Sequence, residues 1–537
     1  MTSSADSEND LSWLRGTRVL VAGGRVSGQA TIEPLVALGA VVTVADSTLD
    51  FAERCAELGA DMVTTTSIED APDSITEYGL VVTSPGFRPD APILAAAAGH
   101  GIPIWGDVEF SWRVDHSGHF GTPRKWLVVT GTNGKTTTTS MLASILDAAG
   151  VVGRACGNIG LPILDALAET SPRVEYLAVE LSSFQLHWAP SVRPDAGVVL
   201  NVAEDHLDWH GGMSAYAEAK SRALSGKVAV VGLDDAIASE LGTRATADIV
   251  TGFRLGEPGE GELGVEAGHL VDNAFGDHVR LAEAASIDPA GPAGVMDALA
   301  AAALARALGF EADVVERGLA AHKVGPHRGA LVGRVGSVVY IDDSKATNPH
   351  AARPSILAHD RVVWVAGGLL KGASVDQLVS EVGPRLSGAV LLGRDAGVIE
   401  DALARHAPDV PVVHVMSGDD AVVSENSSNS TLTIRLPSGA DADAVMAAVV
   451  VEAAELASPG DAVVLAPAAA LIGTLVAARH LRPAGRHRPV RGHAHHRGRS
   501  TRRERSRQSV GGAVASECSP HQRRRTELPA RARGIRI

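Results

Sequence analysis

The chain has 537 residues, of which 45% are hydrophobic and 21% charged, and its formal net charge at pH 7 is −15. This length predicts several domains, and the apolar content suffices for packed cores, which excludes a globally disordered chain. No run approaches the ~18 apolar residues of a membrane span. The first residues show no signal pattern, and three cysteines without paired spacing exclude a disulfide framework. We therefore expect a cytoplasmic, multidomain protein without a membrane-spanning segment.

The charge is distributed unevenly along the chain. Residues 484–537 contain fifteen Arg, no Lys, three Glu and no Asp, a net charge of +12, which leaves −27 for the preceding residues. These last residues include no Phe, Trp or Tyr and show no apolar periodicity. Such a segment cannot bury a core, so a disordered basic tail is predicted.

The first part of the chain alternates predicted strands with helices. Apolar runs at 18–22, 41–45 and 80–83 predict strands of one parallel sheet. The turn at 23–28, followed by Asp46, resembles a dinucleotide fingerprint, but Arg25 stands where a close approach to pyrophosphate requires glycine. The turn is thus either a nucleotide site that is not for NAD or a structural turn without a ligand.

A second α/β segment begins with the strand predicted at 126–130. The polar stretch at 115–125 before it is a candidate linker, although the domain boundary can also lie earlier, near 105–107. The segment extends through an alanine-rich helix predicted at 297–308.

The strongest single motif is the glycine-rich turn at 131–134, which joins this strand to a predicted helix beginning with Lys135 and Thr136. Glycines let backbone N–H groups close around phosphate oxygens, and the helix N-terminus favours negative charge. Lys135 would reach the terminal phosphates and the Thr136 hydroxyl would hold Mg²⁺. The strict eight-residue motif is not met, because Val129 stands at its first glycine, but the flanking strand and helix favour a phosphate loop.

Further along, carboxylates and histidines follow apolar runs. Glu180 ends one such run and is placed to hold the magnesium of a nucleotide, and residues 204–210 contain five titratable groups that could bind a divalent metal. Taken singly, Glu180 is more typical of a solvated strand end and Lys220 of a surface charge, and the histidines are equally typical of a polar loop.

A third α/β pattern follows Pro326. Its strands are predicted near 338–341, 362–366, 389–392 and 462–465, and residues 422–430 are predicted to form a surface loop. Cations beside turns at 327–328, 342–348 and 367–372 suit anionic substrates, although each alone is also typical of a surface charge.

Together these motifs resemble those of the Mur ligases, in the order of that family and over residues 17–470. The matching segments are residues 84–86, 106–109, 131–137, 157–160, 180–185, 201–206, 326–328 and 343–348. The last segment is typical of the branch that adds D-glutamate. The Asp-Asn-Pro-Arg signature of the branch that adds diaminopimelate or lysine is absent, and the UDP-domain motifs disfavour a folylpoly-γ-glutamate synthase.

The resemblance implies an α/β fold of three domains followed by the tail. The expected domains are an N-terminal Rossmann-like domain for UDP at 1–106, a central P-loop ATPase domain with a mainly parallel sheet at 107–325, and a C-terminal Rossmann-like domain at 326–483. The C-terminal domain has an atypical ending after residue 470, and residues 484–537 form the Arg-rich tail.

The activity implied is that of an ATP-dependent ligase. ATP would convert the carboxylate of UDP-N-acetylmuramoyl-L-alanine to an acyl phosphate, which the amine of D-glutamate then attacks. The resemblance further implies two Mg²⁺ ions, a carbamylated lysine at Lys220, a monomeric state and no nucleic-acid or membrane partner.

The resemblance also assigns individual roles. The residues implied to hold ATP are Gly131, Thr132, Asn133, Gly134, Lys135, Thr136, Thr137, Arg328, Asp343 and Lys345. Those implied to bind the UDP-linked substrate are Val26, Ser27, Asp46, Ser47, Ser84, Gly86, Asn158, Ser182 and Gln185, and those implied for D-glutamate are His327, Thr347 and Lys371. The metal ligands implied are Thr136, Glu180, His206 and Lys220, and the catalytic group consists of Lys135, Glu180, His206 and Lys220.

Two departures from the family pattern affect these expectations. Where the family has His-Asn, then two intervening residues and a further Asn for adenine contacts, this chain has Ala293, Gly294 and Asp297. After Ala470 the family continues with a Ser-aromatic-Asp segment that binds D-glutamate, whereas this chain has Leu471, which has no hydroxyl.

The ending after Ala470 has two explanations. It is either an out-of-frame reading of the true C-terminus, which we favour, or a basic arm that could contact nucleic acid or an acidic surface. Sequencing the gene through codon 470 separates the two. The alternative to an active ligase is accordingly a nucleotide-binding protein of the same fold whose activity is impaired by its C-terminus.

Overall fold

A computed structural model describes residues 10–325, 327–416, 431–437 and 440–470. Each of its three sheets is flanked by helices, so the α/β fold expected from the sequence is confirmed. Every strand that the apolar runs predicted is present. The loop expected at 422–430 and all expectations about the chain after residue 470 lie outside the described residues.

The first sheet has five parallel strands in the order β3-β2-β1-β4-β5. Their bounds are Arg18–Ala22 (β1), Val41–Asp46 (β2), Asp61–Thr64 (β3), Leu80–Thr83 (β4) and Ile104–Gly106 (β5). The helices are Val26–Ala37 (α1), Ala52–Glu57 (α2), Thr65–Glu69 (α3) and Pro92–Gly99 (α4), with 3₁₀ helices at Ser12–Leu14 and Pro72–Glu77. The strand order reverses between β1 and β4, and ligands of open parallel sheets bind outside the carboxyl ends of the strands at such a point.

The central sheet has nine strands in the order β14-β13-β12-β11-β10-β9-β6-β8-β7. They are Lys125–Thr130 (β6), Gly153–Gly157 (β7), Tyr176–Glu180 (β8), Ala196–Val199 (β9), Val228–Gly232 (β10), Ile249–Phe253 (β11), Glu262–Glu266 (β12), His269–Asp272 (β13) and Val279–Glu283 (β14). The pairings from β7 to β12 are parallel, and only β12-β13 and β13-β14 are antiparallel.

The helices around this sheet are Asp107–His116 (α5), Lys135–Ala148 (α6), Ile163–Ala168 (α7), Ser183–His187 (α8), Leu207–His210 (α9), Met213–Ser221 (α10), Ala236–Thr243 (α11), Pro292–Ala307 (α12) and Ala312–Ala321 (α13), with 3₁₀ helices at Arg222–Leu224 and Ala284–Ser286. The alanines of α12 are buried against α6. Small side chains let two helices approach closely, which brings the first turns of α12 to the start of α6.

The third sheet has seven strands in the order β15-β16-β21-β17-β18-β19-β20. They are Ala330–Val335 (β15), Val338–Asp342 (β16), Val362–Gly367 (β17), Leu386–Leu392 (β18), Val412–Met416 (β19), Thr431–Arg435 (β20) and Ala462–Leu465 (β21), and only the β15-β16 pairing is antiparallel. The helices are Pro349–Leu357 (α14), Asp376–Val382 (α15), Ala396–His406 (α16) and Ala442–Leu456 (α17), with a 3₁₀ helix at Gly383–Arg385.

The polar stretch at 115–125 is exposed over most of its length, but Asp115 and Arg124 anchor it in the fold. Asp115 lies in α5, and its Oδ1 is 3.0 Å from Nη1 of Arg124, with side chains only 0% and 1% exposed. Asp115 Oδ2 accepts hydrogen bonds from the Arg124 backbone N–H and from Trp126 Nε1. A charged pair can be buried when most of its hydrogen-bonding capacity is met, and of this pair only Arg124 Nε is buried without a partner among the described residues, so the pair braces the central sheet.

Within the part of the chain that the structure describes, no helix is both long and apolar enough to cross a membrane.

Candidate functional site

The glycine-rich turn between β6 and α6 has the shape of a phosphate loop. Gly134 has φ +87°, and a Cβ there would lie 2.2 Å from Oδ1 of Asp297, so no other residue fits without displacement. Thr132 Oγ1 accepts from the Ala203 N–H at 2.9 Å and lies 2.9 Å from the Tyr216 hydroxyl. The turn is therefore held from the far side by the chain after β9. Seven of the ten residues expected to hold ATP, residues 131–137, lie together here.

Lys135 stands at the first position of α6, with its ammonium group under the turn. Its Nζ donates to the carbonyl oxygens of Gly131 and Thr132, each at 2.9 Å. Burial lowers the pKa of Lys135, against the opposite effect of the Glu180 and Asp205 carboxylates. Thr136 follows in the same first turn of the helix.

Glu180 closes β8 next to the phosphate loop, and its carboxylate is only partly satisfied. The residue is 2% exposed, and Oε1 accepts from Asn158 Nδ2 at 2.8 Å. Oε2 is buried with no hydrogen-bond partner among the described residues. An orphaned buried carboxylate oxygen fits a cation such as Mg²⁺, which binds oxygen ligands.

Lys220, which taken alone is typical of a surface charge, is almost fully buried in α10. The residue is 1% exposed, its Nζ donates to the Gly131 carbonyl at 2.8 Å, and Nζ lies 4.6 Å from the centre of the Tyr216 ring. Burial, followed by the nearby Lys135 charge, holds the pKa of Lys220 well below its usual value. Both effects favour the neutral amine of Lys220 over its ammonium form.

His206 lies at the other side of this group, in a left-handed backbone conformation with φ 54°. Burial lowers the pKa of His206 to about 4, although Asp205 acts in the opposite direction. The imidazole is thus neutral, which is the form that binds metals. Its Nε2 lies 3.6 Å from Asp205 Oδ1 and 3.4 Å from Nζ of Lys371.

Among the described residues, no group of three or more His, Cys, Asp or Glu side chains could hold a metal ion. A metal here would need other oxygen ligands, such as the Thr136 hydroxyl, water or the phosphates of a nucleotide.

The third sheet contributes cations and amides to the same place. Lys371 Nζ lies 2.6 Å from Asp205 Oδ1. Asn133 in the phosphate loop lies 2.9 Å from the ring nitrogen Nδ1 of His350, and its Oδ1 accepts from Nδ2 of Asn348 at 3.0 Å. Sequence reasoning did not assign roles to Asp205, Asn348 or His350. Asp205 and Asn348 lie within segments that the sequence singled out, 201–206 and 343–348, whereas His350 carried no signal.

Other residues of the third α/β segment that were expected to contact the nucleotide or D-glutamate form contacts with residues of that same segment. His327 Nδ1 is 2.6 Å from Asp342 Oδ2, and Asp343 Oδ1 accepts from the Gly329 N–H. Burial raises the pKa of Asp343. Lys345 is exposed, and the structure gives no side-chain hydrogen bond for it or for Thr347. Arg328, in contrast, is close enough to the phosphate loop for its positive charge to act on Lys135 and Asp297. At each of them this charge contributes a lowering effect on the pKa.

A cavity of about 820 Å³ opens at the carboxyl end of the first sheet, where the strand order reverses. Its walls include six of the nine residues expected to bind the UDP-linked substrate, which are Val26, Ser27, Asp46, Ser47, Ser84 and Gly86. They also include residues that sequence reasoning did not assign, namely Arg25, Thr65, Glu69, Phe87 and Arg88. Asp46 Oδ2 accepts from the Gly24 N–H at 2.7 Å; burial raises its pKa, but hydrogen bonds from Gly24 and Ser47 outweigh this and leave it lowered.

A second cavity, of about 360 Å³, adjoins the first, since Val26, Ser27 and Pro85 line both. Asn158 and Gln185 lie in its wall. Ser182 and Gln185 form a capping box at the start of α8, so part of their hydrogen-bonding capacity is used locally.

Within the departure at 293–297, the packing around position 294 leaves room only for glycine. A Cβ at Gly294 would lie 1.8 Å from the Pro289 carbonyl oxygen, so a larger residue does not fit there. Asp297 accepts from Thr138 Oγ1 at 3.2 Å and faces the phosphate loop. Burial raises the pKa of Asp297 to about 8, despite the effects of Thr138 and Arg328.

Asp297→Asn should remove a pH dependence of stability. Between pH 4 and 8 the folded chain keeps a proton on Asp297 that the unfolded chain has lost, so the free energy of unfolding falls as pH rises, by up to about 1.4 kcal/mol per pH unit. Urea unfolding of wild type and Asp297→Asn from pH 5 to 9, without metal or nucleotide, measures this slope. We expect the variant to be the more stable at pH 8, and Asp277→Asn, an exposed control, to match the wild type. Equal slopes in Asp297→Asn and wild type would contradict the prediction.

The comparisons with known proteins agree on one family. The sequence model of the Mur ligase middle domain matches residues 129–305. The chain is 65% identical to the UDP-N-acetylmuramoylalanine–D-glutamate ligase of Rhodococcus jostii (strain RHA1), with 89% of this chain and 95% of that protein covered. It is 59% identical to the enzyme of the same name from Nocardia farcinica (strain IFM 10152), with 86% and 93% covered.

Solved structures with a similar fold have much lower identity. A murein peptide ligase from Psychrobacter arcticus superposes with a TM-score of 0.48 at 15% identity, covering 87% of this chain and 99% of that chain. The UDP-N-acetylmuramate–alanine ligase of Thermotoga maritima gives a TM-score of 0.47 at 18% identity, covering 82% and 98%.

Proposed function

The chain belongs to the family of UDP-N-acetylmuramoylalanine–D-glutamate ligases, and from that premise we propose that it joins D-glutamate to UDP-N-acetylmuramoyl-L-alanine at the expense of ATP, in peptidoglycan precursor synthesis. One geometric observation supports this proposal best. The Nζ atoms of Lys135 and Lys220 both donate to the Gly131 carbonyl oxygen, and Glu180 beside them has a buried Oε2 without a hydrogen-bond partner among the described residues. Lys135 places positive charge, and Glu180 a cation-binding oxygen, where a phosphoryl group would be transferred.

A carboxylate is a poor acyl donor, so an oxygen of the L-alanyl carboxylate first attacks the γ-phosphorus of ATP. The bond from that phosphorus to the bridging oxygen breaks, ADP leaves, and an acyl phosphate forms. Lys135 offsets negative charge on the transferring phosphoryl group, and the backbone N–H groups at the start of α6 orient the phosphates. The amine of D-glutamate then attacks the acyl carbon, and the tetrahedral intermediate collapses to the amide and phosphate. Water must be excluded meanwhile, because hydrolysis of the acyl phosphate would waste ATP.

The roles of individual residues complete the proposal. Thr136, Glu180, His206 and a carbamylated Lys220 would hold two Mg²⁺ ions, which when bound would neutralise phosphate charge. Arg328, Asp343 and Lys345 would contact the nucleotide, and His327, Thr347 and Lys371 would contact D-glutamate. A neutral amine is the form of lysine that reacts with carbon dioxide, and the burial of Lys220 supports that form.

We further propose three domains at 1–106, 107–325 and 326–483, and a cytoplasmic monomer that binds no nucleic acid. In support, the first sheet ends at Gly106 and the third begins at Ala330.

Phosphate release by the purified 537-residue chain tests the function directly. With ATP, Mg²⁺ and UDP-N-acetylmuramoyl-L-alanine, we expect release to require D-glutamate and an amide product to appear in the mass spectrum. L-glutamate is the matched control and should give neither. If the rate of phosphate release does not change with D-glutamate while ATP and UDP-N-acetylmuramoyl-L-alanine still bind, the result would instead favour the alternative of a ligase fold impaired by its C-terminus.

Lys220→Ala tests the proposed carbamate. We expect D-glutamate-dependent phosphate release to fall by about 100-fold or more, because the chain loses an anionic ligand at the site of charge development. Acetate should restore part of the rate, since a free carboxylate can occupy the vacated space. Carbon-13-labelled bicarbonate should give a carbamate NMR signal in the wild type that is missing from the variant.

The control for this experiment is Lys227→Ala, which removes an exposed lysine close in sequence. It should keep the wild-type rate and the carbamate signal. A Lys220→Ala chain of unchanged activity, or a wild type without the NMR signal at any bicarbonate concentration, would contradict the proposal for Lys220.

A further inference from the structure

Asn348 is a buried amide to which the proposed mechanism assigns no role. It immediately precedes α14, is 3% exposed, and accepts a hydrogen bond at Oδ1 from the Ala351 N–H at 2.9 Å. This bond is ordinary, because asparagine before a helix satisfies one of the N–H groups that lack a partner in the first turn. It uses only the carbonyl half of the amide, so the NH₂ half needs a separate explanation.

The NH₂ half of the Asn348 amide contacts two other segments of the chain. Nδ2 donates to Asn133 Oδ1 at 3.0 Å and to Asp205 Oδ2 at 3.4 Å. The Ala351 N–H can only donate and the Asp205 carboxylate can only accept, so the orientation of the amide is determined on both sides. Both N–H groups of Asn348 are therefore used within the chain.

Each of these two acceptors belongs to the candidate site. Asn133 lies in the phosphate loop, where its backbone N–H donates to Asn201 Oδ1 at 2.9 Å, so the central segment holds its backbone while the third segment holds its side chain. Asp205 Oδ1 lies 2.6 Å from Nζ of Lys371, a cation proposed to contact D-glutamate. Asn348 therefore joins the loop proposed for ATP to the ion pair proposed to lie beside D-glutamate.

We propose that Asn348 is a positioning residue for the ligase reaction. Its Nδ2 fixes the Asn133 side chain and the Asp205 carboxylate, so that the phosphate loop and Lys371 keep one relative position. The inference rests on the proposed function, because it presumes ATP at the loop and D-glutamate at Lys371. Since Asn348 is 3% exposed and its amide is engaged by the chain, it acts through these neighbours and not by contact with a substrate.

Two substitutions in the full chain keep the helix start and remove the amide donor. Asn348→Asp has the same shape and precedes a helix equally well, but it turns an oxygen toward Asn133 Oδ1 and the Asp205 carboxylate. Asn348→Ser is neutral and also satisfies the helix start. We expect kcat/KM for D-glutamate to fall ~100-fold in Asn348→Asp and ~10-fold in Asn348→Ser, because reacting groups lose their alignment. The Kd of UDP should stay within about twofold, which also reports that the variants are folded.

Asp441→Asn is the matched control. It exchanges the same two residue types at the start of α17, in the same α/β segment, where the exposed Asp441 accepts from the Ala444 N–H. It should keep the wild-type kinetics. A wild-type kcat/KM in Asn348→Ser would overturn the inference, whatever Asn348→Asp does, because satisfying the helix start would then suffice. A loss of UDP affinity as large as the kinetic loss would also overturn it, since the damage would then reach beyond the contacts of Asn348.

Nucleotide binding separates failure of this inference from failure of the proposed function. The Kd of ADP with Mg²⁺, measured by calorimetry, does not depend on which acids the chain joins. We expect it to rise ~5- to 10-fold in Asn348→Ser, because the Asn133 side chain of the phosphate loop loses a hydrogen-bond partner. A wild type that binds ADP but forms no amide would overturn the proposed function, whereas an unchanged Kd for ADP in Asn348→Ser would overturn the inference.

Discussion

Replacing Lys135 with alanine should lower D-glutamate-dependent phosphate release about a thousandfold while the chain stays folded. The Lys135 ammonium group lies under the phosphate loop, donates to two of its carbonyl groups, and has Arg328 and Lys371 as neighbouring charges. A charged donor aimed at a developing phosphoryl charge accounts for a rate effect of this order. Steady-state kinetics at saturating ATP measure the effect, and kcat should fall more than KM for ATP rises.

Lys125→Ala provides the comparison for this experiment. Lys125 begins β6, the strand that leads into the phosphate loop, but it is exposed and pairs with Asp195 at the surface. The same change of residue there should leave kcat within about twofold, as expected for a surface ion pair. A Lys135→Ala enzyme within tenfold of the wild type would show that the transfer does not depend on this side chain.

Replacing Arg124 with methionine should lower the free energy of unfolding by about 3–5 kcal/mol. The substitution leaves the Asp115 carboxylate buried without its charged partner, and uncompensated buried charges are costly to that extent. Arg124 also donates to the carbonyl oxygens of Phe120 at 2.9 Å and of Leu167 at 2.7 Å, so two backbone acceptors lose their partner as well. Urea unfolding followed by tryptophan fluorescence, to which the adjacent Trp126 contributes, measures the loss.

The surface pair of Arg154 and Glu169, with side chains 36% and 34% exposed, supplies the control. Arg154→Met should cost no more than about 1 kcal/mol. Adding Asp115→Leu to Arg124→Met should recover part of the lost stability, because it removes the stranded charge. Similar losses for Arg124→Met and Arg154→Met would contradict the assignment of a buried brace.

The sequence predicts contiguous features of this molecule well. The phosphate loop depends on seven consecutive residues, and the strands depend on apolar runs that must be buried on both faces of a parallel sheet. The cation turns at 327–328 and 367–372 could likewise be located, since each is local. The residues that these turns contact could not be predicted. Lys371, for example, forms an ion pair with Asp205, which is far away in the chain and which no periodicity connects to it.

Buried polar groups limited prediction in the same way. Asp115 and Arg124 look like solvated residues in a sequence, since charged side chains are rarely buried unless paired, and pairing is a property of the fold. Lys220 alone is typical of a surface residue, and only the structure reveals its burial. Asp297 was recognised as a departure from the family pattern, whereas its contact with Thr138 beneath the phosphate loop required the packing of α12 against α6.

The position of β21 in the third sheet constrains the order in which that sheet can form. β21 is the last strand of this sheet in sequence, yet it lies between β16 and β17, pairing with both. During synthesis β16 and β17 emerge long before the strand that joins them, so each presents an open edge until residues 462–465 leave the ribosome. A premature stop upstream of β21 would therefore leave two unpaired edges in the middle of the sheet, and such a product should aggregate or be degraded rather than persist as a shortened protein.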